Sequence, residues 1–244
     1  MKFKGQTVAV VGGGSGIGKA IAHALVLAGA KVVVSSRDSA KLDAAISEFG
    51  DGGVAAPIDM TAPESVAAWA EEIPQIDHLV ISASSAAHGS FEELSNADLR
   101  HMFDAKFFGP YATARAAVKK LAEGGSITFF SGVLSRRPGL NCSGLGAVNG
   151  AVEALTRGLA LELGPRLRVN CVSPGMVRSE AYAGMEPSAR EAMYEATGES
   201  LPTARVGEVE EAAEAALFLM SNAYTTGVVL DVDGGHMIRQ YAKR

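Results

Sequence analysis

The chain has 244 residues, of which 48% are hydrophobic, and a single α/β domain of this length can bury a full core. A formal net charge of −5, with lysine and arginine interspersed among acids, argues against nucleic acid or an anionic membrane as a partner. Two cysteines cannot form a disulfide framework, the five histidines lack metal-ligand spacing, and the N-terminus resembles neither a signal peptide nor a membrane span. We therefore expect a cytoplasmic protein without a metal.

Short β-branched runs alternate with helical patterns along the whole chain. The strand-like runs are "TVAVVG", "KVVVSS", "DHLVISA", "SITFFSG", "LRVNCVS" and a last strand at 227–232, and the first helices are expected at 16–28 and 40–49. Two longer helices are expected at about 101–122 and 146–163. This alternation predicts a single domain, 1–244, built as a Rossmann-like, doubly wound parallel sheet with helices on both faces.

The alternation stops between residues 176 and 205. This stretch is too long for an ordinary connection and carries helical pieces of its own. Insertions of this length commonly act as lids or binding loops. We therefore predict that 176–205, hereafter the lid segment, covers a substrate site within the same domain.

A glycine-rich turn joins the first strand to the first helix in "VAVVGGGSGIGKAIAHAL". Gly12, Gly16 and Gly18 allow unusual backbone angles and close approach of a diphosphate to the main chain. Ser15 and Ile17 lie between them, where the amides at a helix start favour negative charge. We predict a dinucleotide-binding turn.

The second strand ends in "SSRD", at the position where dinucleotide-binding folds contact the adenosine ribose. Ser36 and Arg37 offer a hydroxyl and a cation there, which favours NADP(H) over NAD(H) because a 2′-phosphate would be bound. The alternative is that Arg37 is a solvated loop charge and that Asp38 serves as a partial acidic substitute.

Four motifs together resemble the short-chain dehydrogenase/reductase family over nearly the whole chain: "GGGSGIG", "PIDM", "RVNCVSPGMVRSE" and "TTGVVLDVDGG". The resemblance implies a set of further cofactor contacts. Asp59 would contact the adenine, and Met60 would also bind the cofactor. Ser82 and Ala83 would lie beside the cofactor, Pro174 and Gly175 would flank the nicotinamide, the Val177 amide would hold its carboxamide, and Ser179 would supply a hydroxyl.

The same resemblance implies that the usual catalytic residues are replaced. The family's tyrosine falls on Leu145, its lysine on Asn149, its serine on Gly132 and its asparagine on Lys106. No lysine occurs between positions 120 and 243, so no local shift of the alignment restores the tyrosine–lysine pair. Because leucine cannot exchange a proton, ordinary alcohol oxidation should be poor unless another group replaces the tyrosine.

The candidate replacements for this proton donor are Lys106, Ser131 and His88, with Lys106 favoured because its ammonium would lie near the cofactor. Each has an alternative: Lys106 could pair with Asp104 or a nearby acid, Ser131 could bind only backbone groups, and His88 could be an exposed loop residue. The cluster 141–143 is also within reach, although no cation adjacent in sequence marks Cys142 as a thiolate.

Small residues around Leu145 predict a roomy apolar pocket beside these groups, formed by Gly132, Gly144 and Gly146. Arg136 and Arg137 could recognise an acidic substrate or could simply be solvated.

Two functions remain open at this level. The favoured one is NADP(H)-dependent hydride transfer to or from a small carbonyl, imine or activated alkene with an altered proton donor. The alternative is a catalytically inactive NADP(H)-binding sensor or partner subunit, while the intact glycine turn argues against a lyase that binds no cofactor. The resemblance also implies a homodimer or homotetramer formed through the two long helices.

Overall fold

The structure is a computed structural model that describes residues 2–82 and 87–238. The strands within these residues are β1 (Thr7–Val11), β2 (Lys31–Ser35), β3 (Gly53–Ala55), β4 (Ile76–Ile81), β5 (Leu121–Phe130), β6 (Arg168–Pro174), β7 (Val177–Arg178), β8 (Gly207–Glu208) and β9 (Val229–Val232). The α-helices are α1 (Gly16–Leu27), α2 (Ser39–Phe49), α3 (Pro63–Glu72), α4 (Asn96–Phe103), α5 (Gly109–Ala117), α6 (Ser143–Leu163), α7 (Pro187–Glu199) and α8 (Val209–Ser221).

Seven of the strands form one parallel sheet in the order β3-β2-β1-β4-β5-β6-β9. The connections run outward from β1 in one direction and from β4 in the other, so the order reverses between these two strands. Crevices at the carboxyl ends of strands at such a reversal are where α/β sheets bind ligands. The predicted fold class, a Rossmann-like doubly wound sheet, is confirmed.

Alternate side chains of each strand pack into two hydrophobic layers, one on each face of the sheet. On β1, Val8 and Val10 join the layer that contains α1 and α8, whereas Ala9 and Val11 join the layer that contains α3, α5 and α6. Successive strand residues point to opposite faces, and both faces are covered by helices, so the buried strand residues are mostly apolar on both faces.

The observed element bounds differ from the predicted ones mainly around the long helix after β4. The predicted helix 101–122 starts earlier, at Asn96, and includes a π-helical turn at Asp104–Phe108 between α4 and α5. Strand β5 starts at Leu121, before the predicted start of "SITFFSG". Strand β9 begins at Val229, two residues later than predicted, because Gly227 adopts a positive φ of 73°.

The lid segment contains secondary structure of its own. Strand β7 pairs with β8 in a small separate sheet, a 3₁₀ turn follows at Glu180–Tyr182, and α7 begins at Pro187, where the Glu186 carboxylate accepts from the Ala189 N–H. Within residues 2–82 and 87–238, no helix is long and apolar enough to cross a membrane.

The buried side chain of His78 on β4 should make the stability of the fold depend on pH. Its Nδ1 lies 2.8 Å from Ser126 Oγ, and burial, followed by the nearby Arg168 cation, lowers its pKa from 6.5 to about 4. Between these values the folded state binds fewer protons than the unfolded state, so stability falls as the pH falls through this window. We expect the unfolding free energy to drop by about 2 kcal/mol between pH 7 and pH 5.

Urea unfolding at several pH values measures this effect, and His78→Gln is the comparison. The variant should lose the pH dependence that His78 contributes, whatever its overall stability. An unchanged slope in His78→Gln would show that other groups cause it.

Candidate functional site

The glycine turn forms the floor of the candidate site, at the carboxyl end of β1. Gly12 and Gly16 adopt positive φ values of 89° and 52°, and the Gly12 N–H donates to Ser35 O at 2.8 Å. A Cβ on Gly18 would lie 2.1 Å from Gly12 O, so a side chain there has no room. Helix α1 begins directly after this turn, which leaves its first amides without helical partners.

The end of β2 supplies the predicted ribose contacts. Ser36 Oγ accepts from the Asp38 N–H at 3.3 Å, and Asp38 Oδ1 in turn accepts from the Lys41 N–H at 3.1 Å. Asp38 is therefore the N-cap of α2 and, like Ser36 and Arg37, it lines the cavity described below. The Arg37 side chain is exposed at the mouth of the site.

Asp59 is held by its own turn. Its Oδ1 accepts from Thr61 Oγ1 at 2.7 Å and from the Thr61 N–H at 2.9 Å. These hydrogen bonds, with a smaller contribution from the Arg37 charge, lower the pKa of Asp59. The carboxylate therefore has a defined orientation beside the loop that follows Ile58.

A cavity of about 450 Å³ connects these elements. Most of the predicted cofactor contacts line it: Gly12, Ser15, Gly16, Ile17, Gly18, Ser36, Arg37, Asp59, Met60, Ser82 and Ser179. Its wall also includes Lys41, Ala105 and Glu180, which the sequence did not single out. The cavity thus joins the glycine turn, the predicted ribose contacts and the lid segment in one space.

Three predicted contacts among the described residues do not line this cavity. Pro174 ends β6 and Gly175 packs against Asp233, where an added Cβ would lie 2.9 Å from the Asp233 Cα. Val177 is buried in β7, paired with Gly207. Ala83 lies outside the described residues.

The two positions that the resemblance assigns to tyrosine and lysine lie on α6. Leu145 is buried with Met102 and Val148 in a small apolar cluster. Asn149 is also buried, and among the described residues no hydrogen-bond donor reaches its Oδ1. Neither side chain supplies an acid, but Asn149 leaves one acceptor unsatisfied beside Gly132, whose added Cβ would lie 3.0 Å from Asn149 Nδ2.

The prediction of a roomy pocket at the neighbouring glycines is wrong. A Cβ on Gly144 would lie 2.9 Å from Leu94 and 3.0 Å from both Leu99 and Met102, and one on Gly146 would lie 2.8 Å from Leu134 O. These glycines permit close packing of α6 against its neighbours.

Lys106 lies in the π-helical turn and is buried, with 9% of its surface exposed. Its Nζ donates to Ser131 O at 3.1 Å, and among the described residues no carboxylate oxygen lies within 4.0 Å of it, so the alternative of an ion pair with Asp104 or a nearby acid is wrong. Burial lowers the pKa of this lysine from 10.5 to about 8. Near neutral pH, both protonation states of Lys106, the ammonium and the amine, are therefore populated, as proton transfer requires.

A buried carboxylate that the sequence reasoning missed contacts the same serine, Ser131, as this lysine. Glu153 on α6 is 4% exposed, and its Oε1 accepts from Ser131 Oγ at 3.2 Å and from Ser135 Oγ at 2.5 Å. The Ser131 side chain therefore binds another side chain, contrary to the alternative of backbone contacts alone. The one available signal was spacing, because Asn149 and Glu153 are four residues apart and share a helix face.

Arg136 connects Glu153 to the end of the sheet. Its Nε lies 3.4 Å from Glu153 Oε2, its Nη1 donates to Asp231 Oδ2 at 2.9 Å, and its Nη2 donates to Ser173 Oγ at 3.1 Å. The guanidinium is thus committed to two carboxylates. Neither predicted role for Arg136, substrate recognition or free solvation, matches these contacts.

His88 and Cys142 form a pair at the start of α6. Cys142 Sγ lies 3.4 Å from His88 Nδ1, a neighbour that is 54 residues away in sequence. Partial burial raises the pKa of this thiol, which favours its neutral form. In the described part of the chain, no group of three or more His, Cys, Asp or Glu side chains has the arrangement of a metal site.

Comparison with known proteins agrees with this geometry. A family model described as enoyl-(acyl carrier protein) reductase matches residues 11–237. A galactitol 2-dehydrogenase (L-tagatose-forming) from Cereibacter sphaeroides is 37% identical, and the match covers 97% of each chain. The chain belongs to the short-chain dehydrogenase/reductase family. Another similar member, carbonyl reductase family member 4 of Xenopus laevis, is 31% identical over 94% of this chain and 97% of its own.

Solved structures of short-chain dehydrogenase/reductases superpose on the whole fold. A small-chain dehydrogenase crystallised with NADPH is 38% identical, with a TM-score of 0.85 over 96% of this chain and 99% of that one. A family member from Brucella melitensis is 28% identical, with a TM-score of 0.90 over 96% and 98%. The named relatives are dehydrogenases and reductases, so the chain is an oxidoreductase of this family.

Proposed function

We propose that this protein is an NADP(H)-dependent oxidoreductase that transfers a hydride to or from a small carbonyl, imine or activated alkene, with Lys106 as its proton donor. The cavity of about 450 Å³ carries the proposal, because the glycine turn, Arg37 and Ser179 all open onto it. The family neighbour crystallised with NADPH supports a nicotinamide cofactor.

The residues fit this cofactor. The amides at the start of α1, which have no partners inside the helix, suit a diphosphate. Ser36 and the exposed Arg37 suit a 2′-phosphate, and Asp38, which lines the same cavity, engages one carboxylate oxygen in capping α2. When bound, the cofactor would supply or accept the hydride.

Lys106 would handle the proton. As the substrate oxygen or nitrogen gains negative charge, the Lys106 ammonium gives it a proton and becomes a neutral amine, which solvent then reprotonates. A pKa of about 8 suits this cycle, since the ammonium predominates at neutral pH and its proton is more acidic than that of an exposed lysine. The unsatisfied Asn149 Oδ1 offers an acceptor for a cofactor or substrate hydroxyl.

The assay is NADPH oxidation in the presence of small aldehydes, ketones, imines and activated alkenes. We expect steady loss of nicotinamide absorbance with at least one class. Saturable NADPH binding without turnover in all of them would instead support the sensor or partner-subunit alternative, which the burial of Leu145 at the tyrosine position favours.

Cofactor choice has its own test in Arg37→Ala. Loss of a charge-assisted contact to the 2′-phosphate should weaken NADPH binding by about 10- to 100-fold and leave NADH binding unchanged. Fluorescence titration measures both affinities. Arg100→Ala, which removes an exposed arginine on α4, is the matched control. An equal effect on NADPH and NADH would contradict the assignment.

We also propose that the protein is a homodimer or homotetramer. Large apolar side chains are exposed on the two helices that the resemblance implies for association: Phe108 and Tyr111 around α5, and Leu161 on α6. Burial of such side chains is a general driving force for association.

A further inference from the structure

The lid segment places a carboxylate on the first amide of α1. The Gly16 N–H donates to Glu180 Oε2 at 2.8 Å, across 164 residues of sequence. Gly16 begins α1, so this N–H has no partner inside the helix. Glu180 therefore fills, from outside, one of the donors that the proposed function assigns to the diphosphate.

A carboxylate oxygen and a phosphate oxygen are the same kind of ligand for a helix start, because both are anionic acceptors. Gly16 and Glu180 line the same cavity, together with Ser15, Ile17 and Gly18. A diphosphate in this cradle would need the amide that Glu180 occupies, and the two anions would repel each other.

The basic side chains near Glu180 form ion pairs with other carboxylates. Lys19 Nζ lies 2.6 Å from Glu48 Oε1, and Arg178 Nη2 lies 2.6 Å from Glu191 Oε1. Among the described residues, no lysine or arginine nitrogen lies within 4.0 Å of the Glu180 carboxylate. The hydrogen bond to Gly16 is thus the contact that holds this exposed carboxylate against α1.

We propose that Glu180 is a displaceable plug of the cofactor site. Its carboxylate competes with the cofactor diphosphate for the Gly16 amide, and its release couples cofactor binding to movement of the lid segment. This inference rests on the proposed function, since it requires that a dinucleotide binds at the glycine turn. A competing internal ligand lowers apparent affinity by the fraction of molecules in which the site is open.

The test compares NADPH affinity in wild type, Glu180→Gln and Glu180→Asp by fluorescence titration. Glutamine removes the charge, whereas aspartate keeps it on a side chain one methylene shorter. We expect both variants to bind NADPH more tightly, by about three- to tenfold in Glu180→Gln. Glu195→Gln, an exposed glutamate on α7 in the same lid segment, should match wild type.

A second ligand separates the diphosphate from the rest of the cofactor. Adenosine 2′-monophosphate carries the 2′-phosphate but no diphosphate, so its affinity should be the same in wild type and Glu180→Gln. Two results would overturn the plug and favour general charge repulsion instead. One is an equal gain in affinity for both ligands in Glu180→Gln, and the other is a Glu180→Asp variant that binds NADPH as weakly as wild type.

The remaining outcomes distinguish the two proposals. If wild type binds NADPH and Glu180→Gln binds it with equal or lower affinity, the plug is overturned but the proposed function is not. Absence of saturable NADPH binding at millimolar concentration in both proteins, with thermal unfolding showing that both are folded, overturns the proposed function and the plug together.

Discussion

Replacement of Lys106 by methionine should lower kcat for NADPH-dependent reduction by about 10²- to 10⁴-fold, the usual effect of losing a positioned acid. Methionine keeps much of the length and volume of the buried side chain but cannot donate a proton. NADPH affinity should change little, because the Lys106 side chain faces Ser131 O and does not line the cofactor cavity.

The pH dependence gives a second measurement on the same variant. Because burial lowers the pKa of Lys106 to about 8, wild-type kcat for reduction should be level below that pH and fall above it as the ammonium is lost. Lys106→Met should lack this break.

Lys120→Met is the matched control. Lys120 also donates to main-chain carbonyls, those of Glu71 and Ile73, but it lies outside the candidate site. The kcat of Lys120→Met should equal that of wild type. Full activity in Lys106→Met, with an unchanged pH profile, would assign the proton to another group, such as the His88–Cys142 pair.

Gly18→Ala should weaken NADPH binding by about 100-fold or more and lower the unfolding free energy by about 1–3 kcal/mol. The added Cβ would lie 2.1 Å from Gly12 O and 2.5 Å from Ser82 Oγ, so the turn must shift to accommodate it. Such a shift displaces the amides that would hold the diphosphate. Titration with NADPH and urea unfolding measure the two effects.

Gly158→Ala serves as the control for Gly18→Ala. Gly158 lies on α6 with nothing within 4 Å of an added Cβ, so alanine should stabilise the helix by about 0.5–1 kcal/mol without changing NADPH affinity. Normal cofactor binding by a folded Gly18→Ala would mean that the glycine turn is not the seat of the dinucleotide.

The positions that the resemblance assigns to the tyrosine and the lysine show how much the motifs and the structure each reveal. The motifs assign Leu145 and Asn149 to the tyrosine and lysine positions, and the structure buries both side chains on α6. What surrounds them could not be read from the motifs. Gly144 and Gly146 suggested open space, but neighbouring residues pack tightly against both. Glu153, a carboxylate that no motif marks, lies beside Ser131.

The sequence by itself determined the fold class, the family, the glycine turn and the separate segment 176–205, whose role as a lid stays a prediction. Each is encoded locally, by the alternation of strand and helix periods, by glycines at positions that need positive φ, and by a break in that alternation. The parallel direction of the strands could also be anticipated, because buried parallel strands are apolar on both faces.

Only the tertiary structure decided the chemistry of the site. The burial that lowers the pKa of Lys106, the 3.4 Å approach of Cys142 to His88 and the Glu180 contact with Gly16 all join segments far apart in sequence. Desolvation and hydrogen bonding act over a few ångströms in space, whatever the separation along the chain, so these effects exist only once the sheet and the lid segment bring the groups together.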